Sequence, residues 1–260
     1  MTDDAQELVR ERRGPVLILR LNRPDARNAL TPGLLRAIGA AILEAESDAE
    51  VRAVVLTGSG DRAFCAGMDL RAFAAGEQIG VGDDDATRGF FRLIEGTATI
   101  PLVGAANGTA VAGGFELLLG CDVIIASTGA EFGLPEVKRG LFPAGNGIFL
   151  GARIPLGVAL EMTLTGDAIS AARAHDLGLV NHLAPPGDVL ELAVTVAERI
   201  AANGPLALAA VKELVRLGVS DVAHARERLS IWQDVVFNSD DAKEGATAFV
   251  EKRPPVWRGR

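Results

Sequence analysis

A glycine pair and two glutamates are the part of this 260-residue chain best suited to do chemistry. Gly113 and Gly114 come just before Glu116, and Glu136 follows Pro135 in the next segment. The first N–H groups of a helix have no partner within it and lie at the positive end of its dipole, so they bind an oxygen that gains charge. Two neighbouring carboxyl groups can divide acid and base steps. The pattern predicts an enzyme that stabilises an oxyanion and moves protons.

Each of these residues also has a purely structural interpretation. The glycine pair would allow a helix to pack closely on a strand, with Glu116 as a solvated acid in the first turn. Pro135 fixes the backbone ahead of Glu136 and so aims that carboxyl group in one direction. A glutamate beside a proline is nevertheless common at helix starts.

A second segment, residues 63–70, has small residues around Gly67 and ends in Met68-Asp69-Leu70. It is a candidate for a second backbone N–H directed at the same oxygen, or else an ordinary helix entry with Asp69 as its cap. Cys65 lies beside it, but no histidine is near in sequence and buried cysteines are usually inert, so a nucleophilic role is disfavoured.

The elements that must position these residues alternate in type along the first half of the chain. Apolar runs predict strands, and Thr31-Pro32 is a helix start with an N-cap and a proline at the first helical position. Strands are predicted at 16–21, 51–57, 100–105 and 122–126, and helices from Thr31, at 87–98 and at 113–119. Such alternation indicates an α/β layer architecture.

Two stretches depart from this alternation. Residues 71–87 are polar and glycine-rich, which predicts a surface loop, with a lid over the site as the functional alternative. After about Gly140 the chain reads as helical with little strand. Helices are predicted there at 156–165, 170–177, 188–202, 205–217 and 221–236.

Composition excludes several classes of function. The net charge of −8 and the absence of a basic stripe argue against nucleic acid as the main partner. Two cysteines make no disulfide framework and fit a reducing compartment, so we expect a cytoplasmic protein. The acidic first residues resemble no leader, and no apolar run is long enough for a membrane helix. The three histidines lack ligand-like spacing, so no metal site is expected.

Taken together, the motifs resemble those of the crotonase superfamily, which contains the enoyl-CoA hydratases and isomerases. The resemblance covers nearly the whole chain in the right order. It rests on Asn22-Arg23-Pro24, Arg27-Asn28-Ala29-Leu30, Phe64–Leu70, Asn107-Gly108, Gly113–Glu116, Cys121-Asp122, Phe132–Glu136, Gly178-Leu179-Val180 and the tail from Asp241 to Arg253.

The resemblance implies a fold, a substrate class and an assembly. It implies an α/β spiral of strand-strand-helix (ββα) units in a crotonase core over residues 1–200, and a helical trimerisation region over 201–260. It also implies acyl-CoA thioester substrates of fatty-acid β-oxidation or related metabolism, with CoA as part of the substrate and no other cofactor. A homotrimer or a dimer of trimers is the expected assembly.

The resemblance further assigns roles by position. Met68 and Gly113 would supply the two oxyanion-hole N–H groups, Glu116 would position and deprotonate water, and Glu136 would protonate the α-carbon. Arg23 and Arg27 would face phosphates or simply be solvated. Residues implied to bind substrate or CoA are Ala26, Asn28, Ala66, Asp69, Leu70, Gly114, Pro135, Phe249 and Lys252.

The two glutamates favour hydration of a 2-enoyl-CoA, because isomerases of this family typically keep the acid at the position of Glu136 and lose the one at Glu116. A Δ3-Δ2-enoyl-CoA isomerase, another crotonase-type acyl-CoA enzyme, and a CoA-binding or RNA-binding module of this fold remain alternatives. The sequence departs from the family pattern over Ala144–Leu150, where the apolar Ile148-Phe149 leaves the shape of the acyl pocket open.

Overall fold

The computed structural model describes residues 6–74 and 82–260, whose strands form two β-sheets. The larger sheet has the order β1-β2-β3-β5-β7-β10 and the smaller one the order β4-β6-β8-β9. The strands are β1 (Leu8–Arg13), β2 (Val16–Leu21), β3 (Ala53–Gly58), β4 (Ala63–Cys65), β5 (Leu102–Ala106), β6 (Thr109–Val111), β7 (Val123–Ser127), β8 (Glu131–Gly133), β9 (Ile169–Ser170) and β10 (His182–Ala184).

Helices follow the strands and then dominate the last third of the chain. The α-helices are α1 (Pro32–Ser47), α2 (Leu70–Ala74), α3 (Asp85–Ile94), α4 (Gly113–Gly120), α5 (Leu156–Thr165), α6 (Ala171–Asp176), α7 (Val189–Ala201), α8 (Pro205–Ser220), α9 (Val222–Phe237) and α10 (Asp240–Glu251). Short 3-10 helices occupy Pro24–Ala26, Pro135–Arg139, Asn146–Ala152 and Pro186–Asp188. Within the described ranges, the chain has no helix with the length and apolar character needed to span a bilayer.

The connectivity repeats a ββα unit. A strand of the large sheet leads to a strand of the small sheet and then to a helix: β3 to β4 to α2, and β5 to β6 to α4. β7 and β8 follow the same path. Only β1, paired with β2, runs antiparallel in the large sheet, and the remaining neighbours are parallel. The ββα spiral implied by the family resemblance is confirmed.

Both faces of the large sheet are buried, as expected for parallel strands covered by helices. Along β2, Leu19 and Leu21 belong to one apolar core and Val16 and Ile18 to the other. Helix α7 covers the second face, and α1, α3 and α4 contribute to the first core. This double layer buries β3, β5 and β7, and the chain leads from their carboxyl ends to β4, β6 and β8 of the small sheet.

The start of α1 follows its predicted capping pattern. The Thr31 hydroxyl accepts a hydrogen bond from the Leu34 N–H at 3.0 Å, and Pro32 occupies the first helical position. Helix α3 crosses α1 where Gly39 and Gly89 meet, and a Cβ on either glycine would overlap the backbone of the other helix. The crossing therefore requires glycine on both sides.

The structure corrects three of the predicted elements. The expected loop over 71–87 is wrong at its start, where residues 70–74 form α2, while residues 75–81 lie outside the described part of the chain. Helix α3 ends at Ile94, because the chain turns at Gly96 in a left-handed conformation. The region after Gly140 also contributes strands β9 and β10, which are too short to show a strand period.

Candidate active site

The first predicted N–H donor is at the start of α4. Gly113 is the first residue of this helix, so its N–H has no acceptor within it. Ala112 precedes it with φ 51° and ψ −134°, a backbone conformation that favours glycine. Its N–H donates to the Gly133 carbonyl at 3.0 Å, and its own carbonyl accepts from the Phe115 and Glu116 N–H groups. These bonds fix the direction of the peptide that carries the Gly113 N–H.

The second predicted donor, Met68, lies next to the first. The Leu30 N–H donates to the Gly67 carbonyl at 2.8 Å, and the Asp69 N–H donates to the Leu30 carbonyl at 2.9 Å. The Met68 N–H lies between these two bonds and takes part in neither. A Cβ placed on Gly113 would be 3.9 Å from the Met68 nitrogen. The two N–H groups are therefore neighbours, as an oxyanion hole requires.

Close backbone packing brings these two segments together. Gly67 has φ +84°, and a Cβ on it would come within 2.8 Å of the Ala112 methyl group. A Cβ on Gly114 would overlap the carbonyl of Cys65 on β4. The structural interpretation of the glycine pair thus holds for Gly114, which lets α4 pack directly on β4, whereas Gly113 has ordinary space around it.

Glu116 is buried and held by a loop from elsewhere in the chain. Its side chain is only 6% exposed, so the interpretation of a solvated first-turn acid is wrong. Its Oε1 accepts hydrogen bonds from the Gly145 N–H at 2.9 Å and the Gly147 N–H at 3.0 Å. Burial raises the pKa of Glu116, and the hydrogen bonds from Gly147 and Gly145 oppose that shift by favouring the carboxylate.

Glu136 has a different environment. It lies in the 3-10 helix Pro135–Arg139 and is half-buried, and its buried Oε2 has no hydrogen-bond partner among the described residues. Burial raises the pKa of Glu136, its own N–H opposes this, and the charge of Glu116 raises it further. The two carboxyl groups are therefore linked electrostatically, since a charge on Glu116 favours the protonated form of Glu136.

The segments predicted to bind CoA are joined to each other. The Ala66 N–H donates to the Arg27 carbonyl at 3.0 Å, which ties the loop after β4 to the loop before α1. Ala26 ends the 3-10 helix Pro24–Ala26, and Leu70, 44% exposed, begins α2. The structure therefore joins the loop that carries Ala26 to the segment that carries Ala66 and Leu70.

Asn28 serves the loop itself through its side chain. This buried amide accepts a hydrogen bond from the Arg23 N–H at 2.9 Å and donates to the carbonyls of Ser59 at 3.0 Å and Ala63 at 2.9 Å. Asn28 itself has φ 55°, a conformation that asparagine tolerates better than most residues. The Asn28 side chain is thus fully engaged within the loop.

Arg23 is engaged by carboxylates within the chain. Its guanidinium pairs with Glu7 at 3.0 Å and with Asp69 at 3.1 Å. Asp69 also accepts from the Arg71 N–H at 3.1 Å. Arg23 therefore links the residue just before β1 to the segment that carries Met68. It is not the solvated arginine of the alternative interpretation.

The two predicted residues of the tail lie on a different helix. Phe249 is on α10 and is 86% exposed, and Lys252 ends that helix in a left-handed conformation with φ 54°. Helix α10 packs against α9 and is bonded to the last residues of the chain, where Asp241 accepts from the Arg258 N–H at 2.7 Å. These contacts leave Phe249 facing outward.

Sequence reasoning missed the residues that hold Glu116. The signal was present, because Ala144-Gly145-Asn146-Gly147 is a glycine-rich turn of the kind that offers bare N–H groups to an anion. Only the tertiary structure shows which anion it receives. Ala112 was missed as well, since nothing in its residue type indicates positive φ.

The cysteine and histidine side chains do not belong to the candidate site. Burial raises the pKa of the Cys65 thiol to about 12, which agrees with its expected inertness. His175, His182 and His224 are exposed. Within residues 6–74 and 82–260, no cluster of three or more histidine, cysteine, aspartate or glutamate side chains is arranged to hold a metal ion.

A spiral of ββα units, with paired backbone donors beside two glutamates, defines an enzyme of the crotonase type. The family model described as enoyl-CoA hydratase/isomerase matches residues 11–260. The chain belongs to the enoyl-CoA hydratase/isomerase family.

Individual relatives agree with this assignment. Over 258 residues the chain is 41% identical to enoyl-CoA hydratase EchA19 of Mycobacterium tuberculosis, covering 96% of each chain. It is 38% identical to carnitinyl-CoA dehydratase of Salmonella typhi, over 96% of this chain and 97% of that one. The crystal structure of an enoyl-CoA hydratase from Mycobacterium tuberculosis H37Rv superposes with a TM-score of 0.89 at 43% identity, covering 98% and 100% of the two chains.

Proposed function

We propose that this enzyme adds water across the double bond of a 2-enoyl-CoA to give a 3-hydroxyacyl-CoA, and catalyses the reverse dehydration. The contrast between the two glutamates carries the proposal. Burial raises the pKa of both groups, but Glu116 receives two N–H donors that favour its carboxylate, whereas the buried Glu136 Oε2 has no hydrogen-bond partner among the described residues and feels the charge of Glu116. One carboxyl group is thus suited to be the base and the other the acid.

The reaction follows from these environments. The thioester carbonyl oxygen accepts hydrogen bonds from the Met68 and Gly113 N–H groups, which polarise the conjugated double bond. Glu116 takes a proton from water as the water oxygen bonds to the β-carbon, and the electron pair moves onto the thioester oxygen as an enolate. The enolate then takes the proton of Glu136 at the α-carbon. The proton gained by Glu116 passes within the coupled pair and restores the starting state.

We propose that the water oxygen and the α-proton are delivered to the same face of the substrate, so the addition is syn. The backbone donors supply the polarisation, and we therefore propose that the enzyme needs no cofactor beyond the CoA of its substrate. The joined loops around Ala26 and Ala66 are proposed to bind that CoA through their backbone.

The direct test is a hydration assay on crotonyl-CoA and longer 2-enoyl-CoAs, which follows the loss of absorbance of the conjugated thioester. Glu116→Gln and Glu136→Gln should each lower kcat by about 10²- to 10⁴-fold, because each removes one proton-transfer step. Glu131→Gln, at an exposed glutamate on β8 in the same part of the chain, is the matched control and should leave kcat unchanged. Tight CoA binding without turnover of any 2-enoyl-CoA would refute the proposal.

The substrate panel also separates the reactions and acyl groups left open. A 3-enoyl-CoA tests isomerisation, and carnitinyl-CoA tests the dehydration named for the Salmonella relative. Phe142, Ile148 and Phe149 are exposed apolar side chains that border the loops carrying Glu136 and Gly147. A graded series of acyl sizes therefore shows which acyl group this apolar surface accepts.

We further propose that the enzyme assembles as a homotrimer or a dimer of trimers through the helical region 201–260. Helices α8 and α9 expose a set of large apolar side chains that a monomer would leave in water. They are Val211, Val215, Val219, Val222, Leu229, Ile231, Val235 and Phe237. Burial of this surface against further copies is the simplest way to remove it from solvent.

A cytoplasmic location and a role in acyl-CoA breakdown complete the proposal. The two cysteines, Cys65 and Cys121, are unpaired and buried, which suits a reducing compartment. Hydration of 2-enoyl thioesters is a step of fatty-acid β-oxidation, the setting implied by the family resemblance.

A further inference from the structure

Two arginines from distant parts of the chain donate hydrogen bonds to the carboxyl end of α4. Arg153 donates to the Leu119 carbonyl at 2.9 Å, and Arg216 donates to the carbonyls of Gly120 at 3.0 Å and Cys121 at 3.2 Å. The last carbonyls of a helix have no partner within it, and cations at this end oppose its negative dipole. The helix that carries the Gly113 N–H is thus anchored at its opposite end.

Arg216 is itself held in place. Its guanidinium pairs with Asp122 at 2.9 Å and lies against Gly96, where a Cβ would overlap it. The other carboxylate oxygen of Asp122 accepts from the Leu102 N–H at 2.8 Å and pairs with Lys212 at 2.8 Å. One carboxylate therefore joins the start of β5, the end of α4 and the middle of α8.

Arg153 acts on α4 through the segment that binds Glu116. Gly145 and Gly147 hold the Glu116 carboxylate, and Arg153 lies at the end of the 3-10 helix that begins between them. Glu116 and Leu119 are one helical turn apart. The segment is therefore hydrogen-bonded to α4 at two points one turn apart, the Glu116 carboxylate and the Leu119 carbonyl.

We propose that Arg153 and Arg216 are positioning residues, which fix α4 along its axis so that the Gly113 N–H and the Glu116 carboxylate stay in place at the reacting atoms. The inference rests on the proposed function for the roles of Gly113 and Glu116. An eight-residue helix is about 12 Å long, so a shift at one end is carried directly to the other. A misplacement of about 1 Å at a reacting centre can cost about 10²-fold in rate.

The test compares Arg216→Met and Arg153→Met with the corresponding lysine variants. Each methionine variant should lower kcat by about 10-fold or more with KM changed less than about 3-fold, because the oxyanion donor acts in the transition state. Lysine keeps the charge but lacks the planar guanidinium that bonds the helix end and Asp122 in one fixed geometry, so Arg216→Lys should recover only part of kcat. In both methionine variants, amide hydrogen exchange over residues 113–120 should be faster than in the wild type.

Arg228→Met is the matched control. Arg228 pairs with Glu213 across α8 and α9, and its side chain is 30% exposed against 29% for Arg216. It should lose similar stability and keep its kcat. If Arg216→Met and Arg228→Met lose stability alike and both keep kcat, the positioning role is refuted and Arg216 is only a structural cap.

Two further outcomes separate this inference from the proposed function. If the wild type hydrates no enoyl-CoA, the proposed function fails, and unchanged exchange over residues 113–120 in Arg216→Met would refute the positioning role independently. If Arg216→Met does not fold, Arg216→Lys decides, because full kcat in that folded variant would contradict the inference.

Discussion

At the scale of single residues, the site depends on how differently two glutamates are surrounded. Glu116 has backbone donors from Gly145 and Gly147, whereas the inner oxygen of Glu136 has no partner among the described residues. An unpaired buried carboxylate is costly, and it persists where the chemistry requires a carboxyl group that holds its proton. We therefore expect Glu136 to lower the stability of the protein at neutral pH.

Glu136→Gln should raise the free energy of unfolding at neutral pH while it lowers the rate of hydration. The pKa of Glu136 is raised above 4.5 by burial, so the folded state holds the proton more tightly than the unfolded state. This contribution to stability is fully present below the unfolded pKa and is lost as the pH rises through the folded pKa. Urea unfolding between about pH 4 and 8 measures it. The advantage of the variant should shrink towards acid pH, and parallel curves would contradict the assignment.

Ala112 is a second residue at which the site costs stability. Its φ of 51° and ψ of −134° suit glycine, and for alanine such strain costs about 1–3 kcal/mol. Glycine relieves the strain, but its greater unfolded-state entropy offsets about 0.5–1 kcal/mol of the gain. Ala112→Gly should therefore stabilise the protein by about 1 kcal/mol, measured by urea denaturation. Ala110→Gly, at a buried position on β6 without positive φ, is the control and should destabilise by a similar amount. A loss of stability in Ala112→Gly would show that packing of the Ala112 methyl group outweighs the strain.

Residue types and spacing were enough to single out Gly113, Glu116 and Glu136 as candidates, but their roles came from the family resemblance, because each residue also has a structural interpretation. The partners of Glu116 were not predictable in the same way. A glycine N–H carries no chemical identity in the sequence, and its acceptor is decided by the path of the chain between Gly145 and Gly147.

At the scale of elements, α4 and β4 pack so closely that Gly113 has room for a side chain and the adjacent Gly114 does not. A Cβ on Gly114 would overlap the Cys65 carbonyl, whereas one on Gly113 would meet Leu30 at an ordinary 3.5 Å. Gly114→Ala should therefore cost about 1–3 kcal/mol and displace α4, lowering hydration as well. Gly113→Ala should stay within about 0.5 kcal/mol of the wild type in urea unfolding. Equal losses in the two variants would show that α4 adjusts freely on β4.

Most of the helices and the long apolar strands were predictable because their periods and caps extend over many residues, whereas β1 was missed because its charged residues leave no apolar run. Thr31-Pro32 marked the start of α1 correctly, and the apolar runs marked β2, β3, β5 and β7. The small sheet was not predictable, since β4, β6 and β8 have only three residues each. Three residues cannot show an alternation, and these strands are stabilised by their neighbours rather than by their own sequence.

At the scale of the whole molecule, the helical region is linked to the site as well as to the surface. Lys212 and Arg216 of α8 reach the large sheet and the end of α4, while Val211, Val215 and Val219 of the same helix are exposed. One face of α8 thus positions the catalytic helix, and the other is free to contact further copies. Assembly would restrain α8 and so the geometry of the site.

This arrangement predicts that a variant that loses its assembly also loses activity, whereas a variant that loses activity can keep its assembly. Val215→Glu places a charge in the exposed apolar row of α8, where Val215 is 65% exposed, and should reduce the assembly to smaller species because burying an unpaired charge is costly. Sedimentation velocity measures the species, and hydration of crotonyl-CoA measures the site. Val9→Glu, an exposed valine on β1, is the matched control and should keep both the assembly and the rate. A Val215→Glu variant that sediments like the wild type would refute the assembly surface. One that dissociates should lose kcat, since α8 then loses the contacts that restrain Arg216.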